Sequence, residues 1–312
     1  MLSDMLTIGF ITGLLAAAVR MATPLLLGAL GEMFAERAGV LNLGIEGMML
    51  LGALAAFLTV HRGGSLLLGL LAAILTGLLL AILLGFLTVT IGASQHVSGL
   101  GITTLAAGLS MFIYRQSVGA PSVPPHISPL PVLTIPGLSK IPFLGPVLFE
   151  QSLLTYLAFL LVPIAAFVLY RTSFGLSVRA VGEQPGSADT LGVNVFRTRY
   201  LALLIAGGLA GLGGAFLAIA QFNMFIPGII GGRGFICIAI VVFGNWAPVK
   251  ILWGALLFAL VDAFQLRLQQ YGAGIPYQYL MMLPYLLTIA VLVATSSRSR
   301  APKALLKAYR RE

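Results

Sequence analysis

Charged residues are scarce in this sequence, and that shortage decides what surrounds the protein. Only 9% of the 312 residues are charged, whereas 59% are hydrophobic, and the mean hydropathy is +1.03. A water-soluble domain carries roughly 25% charged residues because it has to present a hydrated surface. The low charge content excludes a soluble domain of this size and predicts an integral membrane protein.

Cysteine, histidine and lysine are also rare. The single cysteine, Cys237, lies in an apolar run, so no intrachain disulfide can form and we expect a small buried side chain. One cysteine and three scattered histidines offer no metal-ligand spacing, so no metal site is predicted. The sequence contains no Gly-x-x-x-x-Gly-Lys-Ser/Thr loop, no Gly-x-Ser-x-Gly and no His-Glu-x-x-His. We therefore expect neither ATPase activity nor catalysis from this chain.

The sequence is rich in long apolar runs. A spanning helix needs about 20 apolar residues, and helices are expected because a segment in lipid must satisfy its own backbone hydrogen bonds. The predicted fold is an all-α polytopic membrane helix bundle of about nine spans, in a range of eight to ten. Broken or re-entrant segments are predicted near 31–47, 92–101 and 223–234. The nine spans are 8–30, 42–60, 65–91, 97–114, 151–170, 200–221, 228–245, 249–268 and 277–295.

Basic residues cluster in two hydrophilic segments. One is the loop 171–199, within a single transmembrane domain predicted over 1–296, and the other is the tail 297–312 that follows this domain. Loops rich in Lys and Arg face the cytoplasm, and the four spans between the two segments put both on that side. Nine spans place the N-terminus outside, whereas a tenth would reverse it. No cleavable signal peptide is expected, because residues 1–5 carry no basic residue. We expect the tail to lie against anionic headgroups and not to bind nucleic acid, since no aromatic residues interleave its charges.

The two largest loops differ in composition. The segment 115–150, predicted to be external, has eight of the sixteen prolines, which favour stiff extended backbone. It is either a plain connector or also a platform that receives an extracytoplasmic binding protein. In 171–199, Pro185 suits a first helical position and Gly192 a position just after a helix. We expect a helix of about two turns there with Ala188 and Leu191 as its apolar stripe, held by flanking structure or a partner; the alternative is an ordinary solvated loop.

Polar side chains inside spans are costly and mostly face the bundle interior or a cavity. Asn42 and Glu46 are predicted to share one helical face, although Glu46 has the alternative of a structural ion pair with Arg37 or Arg233. The small residues Gly207, Gly211 and Ala215 are predicted to be a helix-packing face. His96 is expected to be an interior histidine. The candidate pathway residues are Asn42, Glu46, Gln95, His96, Gln221, Asn223, Arg233, Asp262 and Gln265.

Three stretches resemble a known family. They are FAERAGVLNLGIEGMMLLGA at 34–53, RAVGEQPGSADTLGVNV at 179–195, and GGRGF followed by VFGNW within 231–246. The first resembles the signature of bacterial nucleoside and simple-sugar ABC transporter permeases, in the wider family of ribose and branched-chain amino acid permeases. The second is similar to that family's cytoplasmic coupling loop, from which Gly186 departs.

The resemblance implies a division of labour among subunits. It implies three kinds of partner: a second permease subunit that is either a copy or a paralogue of this chain, a cytoplasmic ABC ATPase that binds ATP and Mg, and an external binding protein or lipoprotein. It implies that this chain itself holds no cofactor. It also implies the bacterial inner membrane, a cytoplasmic C-terminus, and import of a nucleoside or related simple sugar. The implied coupling residues are Arg179, Gly182, Glu183, Pro185, Ala188, Asp189, Leu191 and Gly192.

Other functions remain open at this point. Broken helices serve secondary carriers equally well, so an autonomous carrier or channel for a small polar solute is the main alternative. A branched-chain amino acid ABC permease is another. A structural or receptor-like membrane protein is not favoured, because it would not explain the polar side chains predicted inside the spans.

Overall fold

The computed structural model describes residues 8–121, 123–270, 277–295 and 300–310. Within these ranges the regular secondary structure is helical except for one two-stranded sheet, in which β1 (Val132–Thr134) pairs antiparallel with β2 (Glu150–Ser152). Short π-helical segments continue α3 over Phe86–Thr90 and α8 over Leu217–Gln221. The α-helices are α1 (Ile8–Arg37), α2 (Ile45–His61), α3 (Leu66–Gly85), α4 (Gln95–Val118), α5 (Leu153–Arg171), α6 (Ser173–Glu183), α7 (Pro185–Thr190), α8 (Val195–Phe216), α9 (Arg233–Phe243), α10 (Pro248–Gln270) and α11 (Tyr277–Thr295).

Six helices in the described residues are long and apolar enough to cross a membrane, which supports a multi-pass membrane protein. Three further apolar helices are shorter, so the predicted helical bundle is confirmed but the predicted count of nine spans is not. The six are Ile8–Arg37, Leu66–Thr90, Gln95–Val118, Leu153–Arg171, Val195–Gln221 and Pro248–Gln269, and the shorter ones are Ile45–His61, Arg233–Phe243 and Gln278–Ala290.

Interhelix hydrogen bonds define the two ends of the bundle. At one end Arg267, late in α10, donates to the Phe10 carbonyl at the start of α1. At the other end the Arg37 guanidinium, last in α1, donates to the Trp246 carbonyl just before α10 begins. Helices α1 and α10 are therefore antiparallel, and the ends of the remaining helices can be assigned by their contacts with these two.

The non-helical breaks are shorter than predicted. Helix α1 runs on through residues 31–37, so the first break is confined to 38–44, and the second is confined to 91–94. The third, residues 222–232, matches its prediction closely and separates the π-helical end of α8 from α9. The predicted first span, 8–30, was too short because two carboxylates in the last two turns of α1 interrupt the apolar run.

The glycine face of α8 is a packing surface, as predicted. A Cβ built on Gly207 would meet the Gly77 carbonyl of α3, and one on Gly211 would meet the Ala73 carbonyl. Ala215 is fully buried. Small residues let helix backbones touch where lipid gives no hydrophobic drive for association. Helices α3 and α8 therefore approach more closely than any side chain would allow.

The segment between α5 and α8 holds two helices rather than one. Pro185 does occupy the first turn of α7, and Gly192 does have a positive φ of +85° after it. The predicted Ala188–Leu191 stripe is wrong, because Ala188 is 4% exposed whereas Leu191, which follows the helix, is 85% exposed. Helix α6 was not predicted, although its buried residues Gly175, Val178, Val181 and Gly182 recur at helical spacing.

Residues 300–310, named here the C-terminal strap, lie on the protein. The Ala304 amide donates to the Gly182 carbonyl (2.8 Å), and Arg199 donates to the Lys307 carbonyl (3.1 Å). The Tyr309 hydroxyl donates to Asp189 of α7 (3.0 Å). The strap thus fastens α6 and α7 to the bundle. Lys303 and Lys307 remain exposed on it, and their predicted contact with lipid headgroups stays a prediction.

Replacing Gly211 by Ala should destabilise the protein, because the methyl group has to push α3 and α8 apart at backbone level. We expect a loss of about 1–3 kcal/mol, seen as a lower unfolding midpoint in detergent. The matched control is Gly208→Ala on the same helix, where the nearest atoms to a new Cβ are side-chain carbons 3.7 and 3.8 Å away. Equal stability of the two variants would contradict the backbone contact.

Candidate functional site

A cavity of about 300 Å³ opens where three interrupted or proline-containing elements meet. The end of the π-helical segment of α8, the break 222–232 with the start of α9, α10, and α11 around Pro284 all contribute to its wall. Such convergence of broken helices is where membrane transporters place their solutes. The lining residues are Leu25, Gln221, Phe222, Gly231, Arg233, Ile236, Phe258, Asp262, Gln265, Leu266, Pro284 and Tyr285.

An ion pair forms the most polar part of this cavity. The Arg233 guanidinium lies 3.2 Å from an Asp262 carboxylate oxygen, with the two side chains 19% and 22% exposed. Arg233 also donates to the Ile230 carbonyl, and Tyr285 donates to the Gly231 carbonyl at 3.3 Å. The ion pair and the Arg233–Ile230 hydrogen bond thus hold both charged side chains at the cavity wall, where a solute can reach them.

Two glutamine amides face the same cavity with unused hydrogen-bonding capacity. The side-chain carbonyl oxygens of Gln221 and Gln265 are buried and have no hydrogen-bond partner among the described residues. Gln265 is 6% exposed. A buried polar atom without a partner costs free energy, and a solute with N–H or O–H groups can supply that partner. Two of the predicted pathway residues on α10, Asp262 and Gln265, thus line this cavity.

Glu46 does not line the cavity but holds one of its walls in place. Its two carboxylate oxygens accept from the Gly232 amide (2.8 Å) and the Gly234 amide (2.7 Å) at the start of α9. Helix α2 begins only at Ile45, so Asn42 and Glu46 do not share a helical face as predicted. Within the part of the chain that the structure describes, Glu46 forms no salt bridge with Arg37 or Arg233. Its carboxylate instead accepts from backbone donors that the start of α9 leaves free.

Gln95 stabilises the first break, and Asn42 lies within that break. The Gln95 side chain accepts from the Leu41 amide (2.8 Å) and donates to the Gly39 carbonyl (3.4 Å). The backbone N–H of Asn42 donates to the Glu32 carboxylate (2.9 Å). Both predicted residues are buried, yet the contacts place them at the backbone of residues 39–42 and not at the cavity.

His96 and Asn223 also lie outside the cavity lining. His96 is exposed near the start of α4, so its predicted interior position is wrong. The reason is geometric: α4 turns Gln95 toward the break, and the next side chain points about 100° away from it. Asn223 has a positive φ of 55°, and its carbonyl accepts from Ile127 of the loop between α4 and β1.

The sequence analysis missed two buried carboxylates on α1, Glu32 and Glu36. The Glu36 carboxylate accepts from the Trp246 indole at 2.6 Å, while Arg37 holds the Trp246 carbonyl from the same helix end. Their signal was present, since two acids four residues apart adjoin an apolar run and intramembrane charges mark structural or functional contacts. Because the predicted first span ended at residue 30, Glu32 and Glu36 lay outside it and were not considered as charges within a span.

The predicted coupling residues occupy two environments. Ala188 is buried in a small apolar cluster with Val181 and Val195, and Gly182 packs against the Arg37 carbonyl. Arg179 stacks over the Tyr170 ring, and Asp189 binds Tyr309 of the strap. Glu183 and Leu191 are exposed. The segment therefore has a buried side fixed to the bundle and a free side.

The chain belongs to the family described as branched-chain amino acid transport system/permease component, whose sequence pattern matches residues 14–292. Together with the helical bundle and its polar cavity, this membership makes it a permease subunit of an ABC importer, a transport component and not an enzyme.

Curated relatives match along nearly the whole chain. A candidate glucose ABC transporter permease of Haloferax volcanii is 43% identical over 97% of this chain and 99% of its own length. The guanosine ABC transporter permease of Bacillus subtilis is 39% identical, and a nucleoside ABC transporter permease of Lactococcus lactis is 36% identical. Each of these two matches covers 91% of this chain and 92% of the relative's length. A solved inward-facing structure of a candidate metal-chelate type ABC transporter superposes with a TM-score of 0.52 at 18% identity, over 90% of this chain and 85% of that one, which shows a common fold.

Replacing Trp246 by Phe should remove the indole donor and leave the buried Glu36 carboxylate without it. We expect a loss of about 1–3 kcal/mol, measured as a lower unfolding midpoint in detergent. Trp253 is the matched control, because it is 65% exposed and its indole has no hydrogen-bond partner among the described residues. If both variants unfold at the wild-type temperature, the Glu36–Trp246 bond does not stabilise this end of α1.

Proposed function

We propose that this permease subunit imports a nucleoside or a related simple sugar across the inner membrane. The observation that carries the proposal is the cavity between α8, α9, α10 and α11, whose free amide oxygens suit a solute rich in N–H and O–H groups. Its volume is at the lower end of the range of about 300–1,000 Å³ usual for small-molecule sites. Relatives named as glucose, guanosine and nucleoside transporter permeases support the same class of solute.

Energy comes, in this proposal, from a separate cytoplasmic ABC ATPase that binds ATP and Mg. Its docking surface is the free side of α6 and α7, where Leu191 protrudes and Glu183 is exposed. The bundle end that carries Arg37, Arg199 and the strap is then cytoplasmic, in keeping with the preference of basic residues for that side.

Motion at this surface has a direct mechanical route to the cavity. Gly182 of α6 packs against the Arg37 carbonyl, and Arg37 and Glu36 both hold Trp246, three residues after α9 ends. Glu46 holds the other end of α9, which places Arg233 in the cavity. A shift of α6 and α7 is thus passed through the end of α1 to the C-terminal side of α9, while Glu46 of α2 holds the N-terminal side.

The opposite end of the bundle is the proposed receiving side for the binding protein. The proline-rich loop is docked there, because the Ile127 and Leu130 amides donate to the carbonyls of Asn223 and Ile219. The loop thus touches the end of α8, which leads to Gln221 and the cavity. A second permease subunit, copy or paralogue, completes the proposed assembly.

One observation favours a different solute. Arg233 and Asp262 lie side by side in the cavity and could bind the carboxylate and ammonium groups of an amino acid, which fits the description of the family. An autonomous carrier is the other alternative to be tested with the same preparation.

Proteoliposomes containing this chain, its second permease, the ATPase and the binding protein should take up radiolabelled nucleoside or glucose only with ATP. Branched-chain amino acids should neither be taken up nor compete. Uptake by this chain alone on an ion gradient would contradict the importer, and ATP-driven uptake of leucine without nucleoside or sugar would assign the cavity to a zwitterion.

Replacing Leu191 by Glu should prevent the ATPase from copurifying with the permease, because a charge then has to be desolvated at the contact. We expect recovery of the ATPase to fall about tenfold or more, with the permease itself stable, since Leu191 is 85% exposed. Val132→Glu is the control at the other end of the bundle, where Val132 is 60% exposed. ATPase recovery unchanged by Leu191→Glu would rule out α7 as the docking element.

A further inference from the structure

Every positive group at the wall of the cavity is matched by a carboxylate of the protein itself. The Arg233 guanidinium lies 3.2 Å from Asp262. The N-terminus of α9 has the positive end of a helix dipole and free amides, a place that ordinarily attracts anions. Here the Gly232 and Gly234 amides are both occupied by Glu46, beside Gly231 in the cavity wall.

The remaining polar atoms of the cavity carry no charge. They are the Gln221 and Gln265 amides and the Tyr285 hydroxyl, and the other lining side chains are apolar. An anion entering this space would lose its hydration and find no cation free to replace it. It would also meet the Asp262 carboxylate at close range. A neutral solute avoids both costs and can satisfy the two free amide oxygens.

We propose that Asp262 is a specificity-determining residue that, together with Glu46, keeps anions such as phosphorylated nucleosides and sugars out of the cavity. The inference rests on the proposed function only for the identity of the solute. Asp262 achieves exclusion by holding Arg233, so that the one cavity cation is not available to a phosphate group. Without Asp262, the same arginine becomes an anion site, because a guanidinium binds phosphate in a bidentate manner.

A merely structural role for Asp262 has a different consequence. If the ion pair only stabilises the fold, its loss lowers stability while water screens the freed Arg233, so the relative access of positive and negative solutes changes little. The charge selectivity of the cavity therefore separates the two roles, and it can be measured on the purified chain without ATPase, binding protein or substrate. A failure of the importer function and a failure of this inference are thus distinguishable.

The measurement uses a thiol placed in the cavity. Cys237 is the only native cysteine and is buried, so it is replaced by Ala, and Gln221, which is half-buried in the cavity wall, is replaced by Cys. The reagents are sulfonatoethyl methanethiosulfonate, which is negative, and trimethylammonioethyl methanethiosulfonate, which is positive. The ratio of the two reaction rates reports the electrostatic potential at residue 221.

Adding Asp262→Asn to this background should raise the negative-to-positive rate ratio at least about tenfold, since one uncompensated charge in the wall of the same cavity acts strongly at the effective dielectric of a protein. Asp262→Glu keeps the charge and should leave the ratio within about threefold of its parent, which also shows that the site tolerates substitution. The double variant Arg233→Gln with Asp262→Asn removes both charges and should restore the parental ratio.

Two results would overturn the proposal. One is an unchanged ratio in Asp262→Asn while the protein remains monodisperse in detergent. The other is a thiol at residue 221 that reacts with neither reagent in any variant, because the cavity would then be closed to solutes of either charge.

Discussion

The structure depends on one constraint: peptide groups that leave a helix inside a membrane must still find hydrogen-bond partners, because lipid offers none. Two breaks, 38–44 and 222–232, face that problem. The first is satisfied by Gln95 and Glu32, and the start of α9 after the second is satisfied by Glu46. Polar side chains that look like solute ligands in the sequence are therefore partly occupied with holding irregular backbone in place.

This use of polar groups also joins the parts of the molecule that have to move together. Glu46 stands at the start of α2 and holds the start of α9, while Glu36 of α1 holds Trp246 beyond the end of α9. The short helix is thus fastened at both ends to the first two helices. Because interiors packed in this way have discrete arrangements rather than continuous ones, a displacement of the α1 end is passed to α9 instead of being absorbed.

Much of this could be predicted from the sequence, since hydrophobic runs, glycine spacing and turn chemistry are local signals. Pro185, Gly192 and the Gly207–Gly211 face were correctly interpreted, and Arg233 and Asp262 do meet in one cavity. The partners of Glu46 could not be predicted, because they are the backbone amides of Gly232 and Gly234, far along the chain. Every residue except proline has such an amide, so the sequence gives no signal for this contact. The exposure of His96 likewise depends on the rotation of α4, which Gln95 fixes through a tertiary contact.

The C-terminal strap has a consequence for the order of biosynthesis. Its Ala304 and Tyr309 complete the hydrogen bonds of α6 and α7, yet they are translated after every membrane helix. Until the ribosome has released them, Gly182 and Asp189 lack these partners, and α7 is too short to be stable without support. The surface that α6, α7 and the strap form together is therefore completed only after the helices from α1 to α11 have been synthesised.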